Sequence, residues 1–322
     1  MNRSLLALGW LCLVACPPGV SAAPAPPVMM PLSTGSNLAV WVLPADGGPA
    51  RSAPVVFLHG GPGLYTEARR FDEAAVMRGA GFDTIFFDQA GGGQSARLPA
   101  ADYSLDRAVA DIEALRVALG KEQLVLWGNS YGAALAALYA ARYPGRVAGV
   151  ILTSPGMFPG YAGTRDSGRT DRDRVVYGKD VSAAIDRIDR DGGKAETDLP
   201  QAQAGRLFDE LVAAELIDGM VCKGATVRAP ALPGGGNLYA QRLIARDLKA
   251  VKASPKAVVG IPALIVRGTC DFLPMASAER YRALFGGRIA EIAANGHGLL
   301  EDRAAVDAII AGFARDSLAA VK

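Results

Sequence analysis

The stretch that decides the fold reads Gly128-Asn129-Ser130-Tyr131-Gly132, a G-x-S-x-G pattern. It follows the apolar run 124–127 and precedes the helix-forming run 133–142. A serine in this frame lies on a tight strand-to-helix turn, where the flanking glycines allow close backbone approach and the hydroxyl stays exposed above a sheet. The pattern is short enough to arise by chance. The strand before it and the helix after it therefore carry the prediction that Ser130 is a nucleophile.

A glycine-rich loop upstream is the second signal. The apolar run 55–58 predicts a buried strand that leads directly into this loop. The loop residues are His59, Gly60, Gly61, Pro62 and Gly63. Glycines at the end of a central strand let backbone N–H groups face a ligand, and the proline stiffens the loop. We predict that the N–H groups of Gly61 and Tyr131 bind the oxyanion of a tetrahedral intermediate. The alternative is a tight turn without chemistry.

A serine nucleophile needs a base, and the sequence contains only two histidines, His59 and His297. His59 belongs to the glycine-rich loop, where its ring is predicted to brace the turn. His297 follows the apolar run 289–293 and lies between two glycines. This places it on a loop at the C-terminal end of a strand, where catalytic groups collect. We predict His297 as the general base; a purely structural histidine is the alternative.

The third member of such a site is a carboxylate between the serine and the histidine in chain order. Asp271 fits, because it follows the predicted strand 263–266 and the short turn 267–270. Its predicted role is to fix the imidazole tautomer and to stabilise the imidazolium. The alternative is that Asp271 caps the N-terminus of the predicted helix 275–284.

Three motifs in this order resemble those of the proline iminopeptidase family of α/β-hydrolase peptidases. They are the HGGPG loop at 59–63, the segment DQAGGGQS at 88–95, similar to the family's DQxGxGxS, and the serine turn at 128–132. The resemblance covers roughly 38–155 and the chain from 261 onward.

The resemblance implies an α/β-hydrolase fold, with a mostly parallel central sheet, helices on both faces and an inserted, mainly helical cap. It implies that Ser130, Asp271 and His297 are nucleophile, acid and base, with Gly61 and Tyr131 as oxyanion donors. It also implies an aminopeptidase that needs no cofactor.

The sequence departs from the family where the substrate is chosen. The family's usual Arg after Asp-Gln is Ala90, its usual Trp after the nucleophile is Tyr131, and no Trp occurs from Gly128 onward. The family binds the substrate's free amine with cap glutamates beside a Trp-Glu pair, and that pair is absent. Four carboxylates in the predicted cap are candidates to supply the negative charge that binds the amine. The alternative is that they form the solvated face of an amphipathic helix. They are Asp209, Glu210, Glu215 and Asp218.

Apolar runs alternate with helical patterns along most of the chain, which predicts a parallel sheet covered on both faces. Predicted strands are 37–43, 54–58, 84–87, 124–127, 147–153, 263–266 and 289–293. Predicted helices are 66–78, 105–119, 133–142, 275–284 and 301–319. The predicted organisation is a signal peptide (1–22), a Pro-rich leader (23–36), a first core part (37–155), a cap or lid (156–258) and a second core part (259–322).

Composition excludes several function classes. The chain has 322 residues, half of them apolar and a fifth charged, and a formal net charge of +2. Such a chain can bury a substantial core as one domain. It has no basic block typical of nucleic-acid binding. Metal-ligand spacing and a phosphate-binding loop are likewise missing from the sequence, so we expect neither metal nor cofactor. The oligomeric state stays open.

The N-terminus has the pattern of an export signal. Arg3 precedes an apolar run at 5–15 that is too short to span a bilayer, and small residues at 20–22 form a cleavage site. This predicts a periplasmic or secreted protein. Residues 13–16 also resemble a bacterial lipobox, which would place a lipid on Cys16 and anchor the chain to a membrane. The prolines after Cys16 are unusual for that motif.

Two cysteines remain after cleavage of the predicted signal peptide, Cys222 and Cys270. Export would place both in an oxidising compartment. An even pair in an oxidising compartment favours a disulfide. This bridge would pin the predicted cap against the loop of Asp271. Two free buried thiols are the alternative.

These residues together predict acyl transfer through a covalent intermediate on Ser130. The resemblance implies N-terminal residues of short peptides as the substrate, whereas an ester or an acylated small molecule uses the same groups. Epoxide and haloalkane hydrolysis would require Asp at position 130. A noncatalytic binding protein on the same scaffold is the third reading, and an intact serine, acid and histidine in the expected order argues against it.

Overall fold

The computed structural model describes residues 25–161, 178–227 and 234–321. The predicted signal peptide with Cys16 and parts of the predicted cap lie outside these residues. Among the described helices, none is long and apolar enough to cross a membrane.

A single eight-stranded sheet forms the centre of the described chain, in the order β1-β2-β4-β3-β5-β6-β7-β8. The strands are β1 (Val28–Pro31), β2 (Asn37–Leu43), β3 (Val55–Leu58), β4 (Thr84–Phe87), β5 (Leu124–Asn129), β6 (Val147–Thr153), β7 (Ala263–Gly268) and β8 (Arg288–Ile292). Strand β2 pairs antiparallel with β1 and β4, and every other pair is parallel. All residues of β3, β4, β5 and β7 are buried, as expected of parallel strands covered on both faces.

Helices connect the strands and cover both faces of the sheet. They are α1 (Arg69–Glu73), α2 (Ala75–Arg78), α3 (Leu105–Ala118), α4 (Tyr131–Arg142), α5 (Lys179–Asp191), α6 (Gln201–Gly219), α7 (Leu238–Ala250), α8 (Met275–Phe285) and α9 (Arg303–Asp316). Side chains of β5 alternate between two apolar clusters: Leu126 packs in the cluster that holds α3, α4 and α8, and Trp127 in the one that holds α2 and α9. Because successive strand residues point to opposite faces, one continuous apolar run supplies both cores.

The structure corrects the predicted leader, because a strand precedes 37–43. Strand β1 lies within the segment predicted as Pro-rich leader and pairs antiparallel with β2, Val28 opposite Val40. It is the edge strand of the sheet. Proline is tolerated on an edge because its missing N–H does not interrupt a ladder, so the prolines around 24–31 did not exclude a strand.

Two predicted helices differ from the structure by more than two residues in total, whereas the other three agree to within two. The predicted helix 66–78 is two short helices, α1 and α2. The predicted helix 301–319 begins only at Arg303, because the Asp302 side chain accepts a hydrogen bond from the Ala305 N–H and so caps the helix. Glu301 therefore lies in the turn before α9, where its carboxylate is free to bind backbone groups.

Helices α5, α6 and α7 lie between β6 and β7 in the chain and pack against one another; we call them the inserted helices. Their buried residues, such as Ile188, Phe208 and Leu243, join the larger apolar cluster of the core. The start of α7 is fixed to the core by Asn237, whose N–H donates to Gly63 O (2.9 Å) and whose Nδ2 donates to Gly91 O (3.1 Å). The inserted helices thus contact two of the three sequence motifs.

Candidate active site

Ser130 stands between the end of β5 and the start of α4, with φ 52° and ψ −119°. A positive φ is strained for a residue with a side chain, and this strain holds the hydroxyl above the sheet. Only glycine fits at the two neighbouring positions, because a side chain there would collide with backbone oxygens. A Cβ on Gly132 would lie 1.9 Å from Leu58 O, and one on Gly128 would lie 2.6 Å from Gly132 O. The G-x-S-x-G pattern therefore forms the predicted turn.

Three side chains from three separate loops form one hydrogen-bonded chain. The Ser130 hydroxyl lies 3.0 Å from His297 Nε2, and His297 Nδ1 lies 2.9 Å from Asp271 Oδ1. Asp271 and His297 are almost completely buried, with 1% and 3% of their side chains exposed. The structure thus brings together the three residues that the sequence predicted, although 167 positions separate Ser130 from His297.

The surroundings of Asp271 and His297 fix the imidazole. Asp271 Oδ1 also accepts a hydrogen bond from the Leu273 N–H at 2.9 Å. The ring of Phe272 packs on His297 with centroids 4.5 Å apart. Because the Asp271 carboxylate accepts a hydrogen bond from His297 Nδ1, that nitrogen carries the proton. Nε2 is then unprotonated and can accept the proton of the Ser130 hydroxyl.

The glycine-rich loop faces the serine. Gly60 approaches so closely that a Cβ there would lie 3.1 Å from the Ser130 Cβ. Gly61, Tyr131 and Ser130 all line the same cavity. Tyr131 is the first residue of α4, so its N–H has no acceptor within the helix. The two predicted oxyanion donors therefore border the same cavity as the serine.

His59 is bonded into the loop and not to the serine. Its Nδ1 donates to Gly60 O at 2.8 Å, and its Nε2 accepts from the Gln89 N–H at 2.9 Å. Burial disfavours the charged ring and lowers the pKa of His59 to about 4. A neutral ring can donate from one nitrogen and accept at the other, so His59 joins the HGGPG loop to the loop after β4.

A buried ion cluster beneath the serine turn was missed by the sequence analysis. Arg70 donates to Glu73 Oε2 at 2.8 Å and to Asn129 Oδ1 at 3.0 Å, beside the nucleophile. Arg69 donates to Glu67 Oε2 at 2.5 Å. The dense run of charges at 67–73 was a usable signal, because buried charges occur in pairs.

Ser130 and His297 line a cavity of about 800 Å³. Its far wall is mostly apolar and comes from the inserted helices and the segments that flank them. The residues of that wall are Phe208, Leu211, Val212, Met220, Leu248 and Val251. Among the described residues, charged side chains reach the cavity only as Glu67, Arg242 and Lys249. Arg242 is paired with Asp189.

The carboxylates predicted to supply negative charge do not line this cavity in the part of the chain that is described. Asp209 accepts hydrogen bonds from the N–H groups of Gly235 and Gly236 (3.3 and 3.0 Å), and Glu210 is exposed. The side chains of Glu215 and Asp218 lie outside the description.

Cys222 and Cys270 are joined by a disulfide. Cys222 follows α6, and Cys270 directly precedes Asp271. The bond therefore ties the end of an inserted helix to the loop that carries the acid.

Comparison with known proteins places the chain in a class. A family model described as alpha/beta hydrolase fold matches residues 53–304. An esterase from Exiguobacterium antarcticum superposes with a TM-score of 0.58 at 18% identity, covering 90% of this chain and 100% of the esterase, which supports the fold alone.

Sequence relatives are similar over part of their length. The protein named "Probable proline iminopeptidase" of Streptomyces coelicolor is 39% identical over 108 residues, which is 31% of this chain and 32% of that protein. Human 1-acylglycerol-3-phosphate O-acyltransferase ABHD5 is 32% identical over 160 residues, 48% of this chain and 44% of the relative. The matches thus span about a third to under half of these relatives.

The chain belongs to the α/β-hydrolase fold family. Within that class it is proline iminopeptidase-like, as its three motifs predicted, and the sheet confirms the predicted fold.

Proposed function

We propose that the protein is an exported serine hydrolase that releases N-terminal residues from short peptides. The observation that carries the serine hydrolase chemistry is the hydrogen-bonded chain from Ser130 through His297 to Asp271 at the floor of an open cavity. The partial similarity to proline iminopeptidases favours a peptide substrate.

The mechanism follows from this geometry. His297 Nε2 takes the proton from Ser130 as the oxygen attacks the carbonyl carbon, and Asp271 stabilises the imidazolium that forms. The N–H groups of Gly61 and Tyr131 bind the oxyanion. His297 returns the proton to the leaving amine, and water then hydrolyses the acyl-enzyme by the same steps in reverse. Electrostatic stabilisation of the oxyanion is usually worth about 3 kcal/mol for each donor.

Glu67 supports recognition of a free amine. Burial by itself would raise the pKa of this carboxyl, but the guanidinium groups of Arg70 and Arg69 outweigh burial and lower it. Glu67 is thus ionised at neutral pH. Its Oε2 is bonded to Arg69, whereas its Oε1 lies 3.9 Å from Arg70, beyond hydrogen-bond distance. An ammonium group in the cavity could bind Oε1.

Gln241 also lines this cavity. Its Oε1 is buried and has no hydrogen-bond partner in the described part of the chain. An unpaired buried oxygen costs roughly 1–3 kcal/mol, which a donor on the substrate would recover once the side chain turns this oxygen into the cavity. Two acceptors beside apolar walls fit an aminoacyl group with a protonated amine.

The test is hydrolysis of a matched panel by the mature protein: Pro, Ala and Leu arylamides, their N-acetylated forms, and short acyl nitrophenyl esters. We expect cleavage of the free-amine arylamides, strong loss on acetylation, and no turnover by Ser130→Ala. Ser254→Ala is the control, because Ser254 is exposed and does not line the cavity. Equal cleavage of free and acetylated arylamides would reject the aminopeptidase.

Glu67→Gln tests the amine subsite, because it keeps the shape and removes the charge. We expect kcat/KM to fall about tenfold for free-amine substrates and to stay within about twofold for esters. An equal fall for both classes would show that Glu67 serves the ion cluster only.

An esterase or amidase on an acylated small molecule is the second candidate. The apolar wall of the cavity and the departures at Ala90 and Tyr131 favour it. Turnover of esters alone would establish it in place of the peptidase. A folded protein that a fluorophosphonate does not label would instead favour a noncatalytic binding protein.

Export is supported by the N-terminal pattern and by the Cys222–Cys270 disulfide, since disulfides persist in oxidising compartments. Fractionation and mass analysis of the mature N-terminus distinguish cleavage after Ala22 from lipidation of Cys16. A full-length cytoplasmic product would reject export.

A further inference from the structure

We propose that Glu301 and the segment 220–222 are a positioning device for the catalytic histidine, so that the end of α6 and the His297 loop move as one unit. The proposal rests on the proposed serine hydrolase function and goes beyond it. It concerns the backbone contacts that hold the His297 loop.

The segment 220–222 is bonded to the loop of the acid. The disulfide joins Cys222 to Cys270, the residue before Asp271. The Cys270 N–H in turn donates to Asn295 O at 3.0 Å, two residues before His297. The acid loop and the histidine loop are therefore held to each other and to the end of α6.

The same segment contacts the His297 loop on both sides of the histidine. After it, the Gly298 N–H donates to Met220 O at 2.6 Å. Before it, a Cβ on Gly296 would lie 2.6 Å from Met220 O and from the Val221 carbonyl carbon. Backbones this close leave no room for the His297 loop to move independently of the segment.

Glu301 completes the connection with its carboxylate. It accepts from the Gly296 N–H with both oxygens, at 3.1 and 3.2 Å, and from the Cys222 N–H at 2.7 Å. The Leu300 N–H adds a third donor at 3.2 Å. Hydrogen bonds to an ionised acceptor are about twice as strong as neutral ones. One carboxylate thus binds backbone from both segments.

This arrangement couples the cavity wall to the base. Met220 lines the cavity, as do Phe208 and Leu211 on α6, and Met220 is also the residue bonded to Gly298. A shift of α6 therefore moves the backbone on which His297 is mounted. Misplacing a catalytic group by about 1 Å can cost about a hundredfold in rate.

The first test is Glu301→Gln, which keeps the side-chain length but turns an NH₂ group toward one of the backbone N–H donors. We expect kcat to fall about tenfold with KM within about twofold, and Ser130 to react more slowly with a fluorophosphonate by the same factor. Asp307→Asn is the matched control, a carboxylate-to-amide change on α9 whose partner is Arg303. It should leave both rates unchanged. Unchanged kcat in folded Glu301→Gln would overturn the proposal.

The second test is the double variant Cys222→Ser/Cys270→Ser, alone and combined with Glu301→Gln. If both changes act through one segment, their combined effect on kcat is clearly smaller than the product of the two. If the effects of Glu301→Gln and of disulfide loss on kcat multiply, the two act independently, and the proposal is overturned. Should Glu301→Gln fail to fold, reduction of the folded wild-type protein supplies the measurement: a fall in kcat at constant KM supports the coupling, and no change contradicts it.

The two failures are distinguishable. Wild-type protein that neither reacts with the fluorophosphonate nor hydrolyses esters would reject the serine hydrolase, and the positioning role with it. A reactive wild type whose rates do not respond to Glu301→Gln or to loss of the disulfide rejects the positioning role alone.

Discussion

The loops at the C-terminal ends of β3, β5, β7 and β8 differ sharply from the inserted helices above them. At these loops, backbone is packed against backbone, as where Gly132 at the start of α4 meets Leu58 O at the end of β3, and few residue types fit at each position. In the inserted helices, long apolar side chains such as Leu211 and Leu248 face a cavity of about 800 Å³. Sequence motifs can therefore identify the loops, whereas the inserted helices tolerate many different sequences.

The comparison separates two parts of the proposed function. In the proposed acyl transfer, the loops provide the groups that every substrate needs. The inserted helices contribute shape and a small number of polar atoms, and these select the acyl group. Substitutions in the loops should reduce turnover of every substrate, and substitutions in the inserted helices should change the preference among substrates.

The largest effect is expected from Asp271→Asn. An amide cannot hold the correct tautomer of His297, so kcat should fall about 10⁴-fold on every substrate while the protein stays folded. Steady-state kinetics on an ester and an arylamide measure the loss. Asp302→Asn, which keeps a helix cap outside the triad, is the control. A loss confined to one substrate class would break the distinction between the two regions.

Gly132→Ala should give the next largest effect, on stability. Its Cβ would lie 1.9 Å from Leu58 O, so backbone must move, and we expect unfolding to become easier by at least about 3 kcal/mol. Gly145→Ala, beyond the other end of α4, meets nothing within 4 Å and should cost under about 0.5 kcal/mol. Urea unfolding measures both. Equal costs would contradict tight backbone packing at the serine turn.

His59 should make the stability of the core pH-dependent. Its pKa is lowered to about 4 in the folded protein, so below its ordinary value of 6.5 the unfolded chain binds a proton that the folded chain does not. Stability is therefore lost as pH falls, by about 2 kcal/mol between pH 7 and 5. Urea unfolding at both pH values should show this loss, and His59→Gln should remove it. An identical pH dependence in the variant would show that other groups are responsible.

The smallest effect belongs to the inserted helices. Leu248→Ala enlarges the cavity, so kcat/KM for bulky acyl groups should fall about threefold to tenfold while turnover of an acetyl ester stays nearly constant. Val117→Ala, an exposed apolar truncation on α3, is the control and should change neither rate. An equal fall in kcat/KM for all acyl sizes would contradict selection of the acyl group by Leu248. It would show instead that α7 influences the catalytic groups.

Much of the core was predictable because its signals are local. Apolar runs located β2 to β8 to within two residues at either end, and glycine patterns located the serine turn. Strand β1 and the start of α9 were not, because edge pairing and the cap at Asp302 outweigh the local pattern. The contacts of Arg70 and Glu301 were also missed, since each binds a residue far away in the chain, Asn129 and Cys222 respectively.

The sequence by itself determined the fold family and singled out Ser130, Asp271 and His297 as the candidate triad, because a G-x-S-x-G turn and only two histidines leave few choices. The tertiary structure alone decided that these side chains meet within 3.0 Å, that Asp209 is bound to backbone, and that Glu67 and Gln241 line the cavity. The physical reason is the sequence separation of the interacting residues. Backbone conformation follows from neighbouring residues, whereas a cavity is built by side chains from elements far apart in the chain.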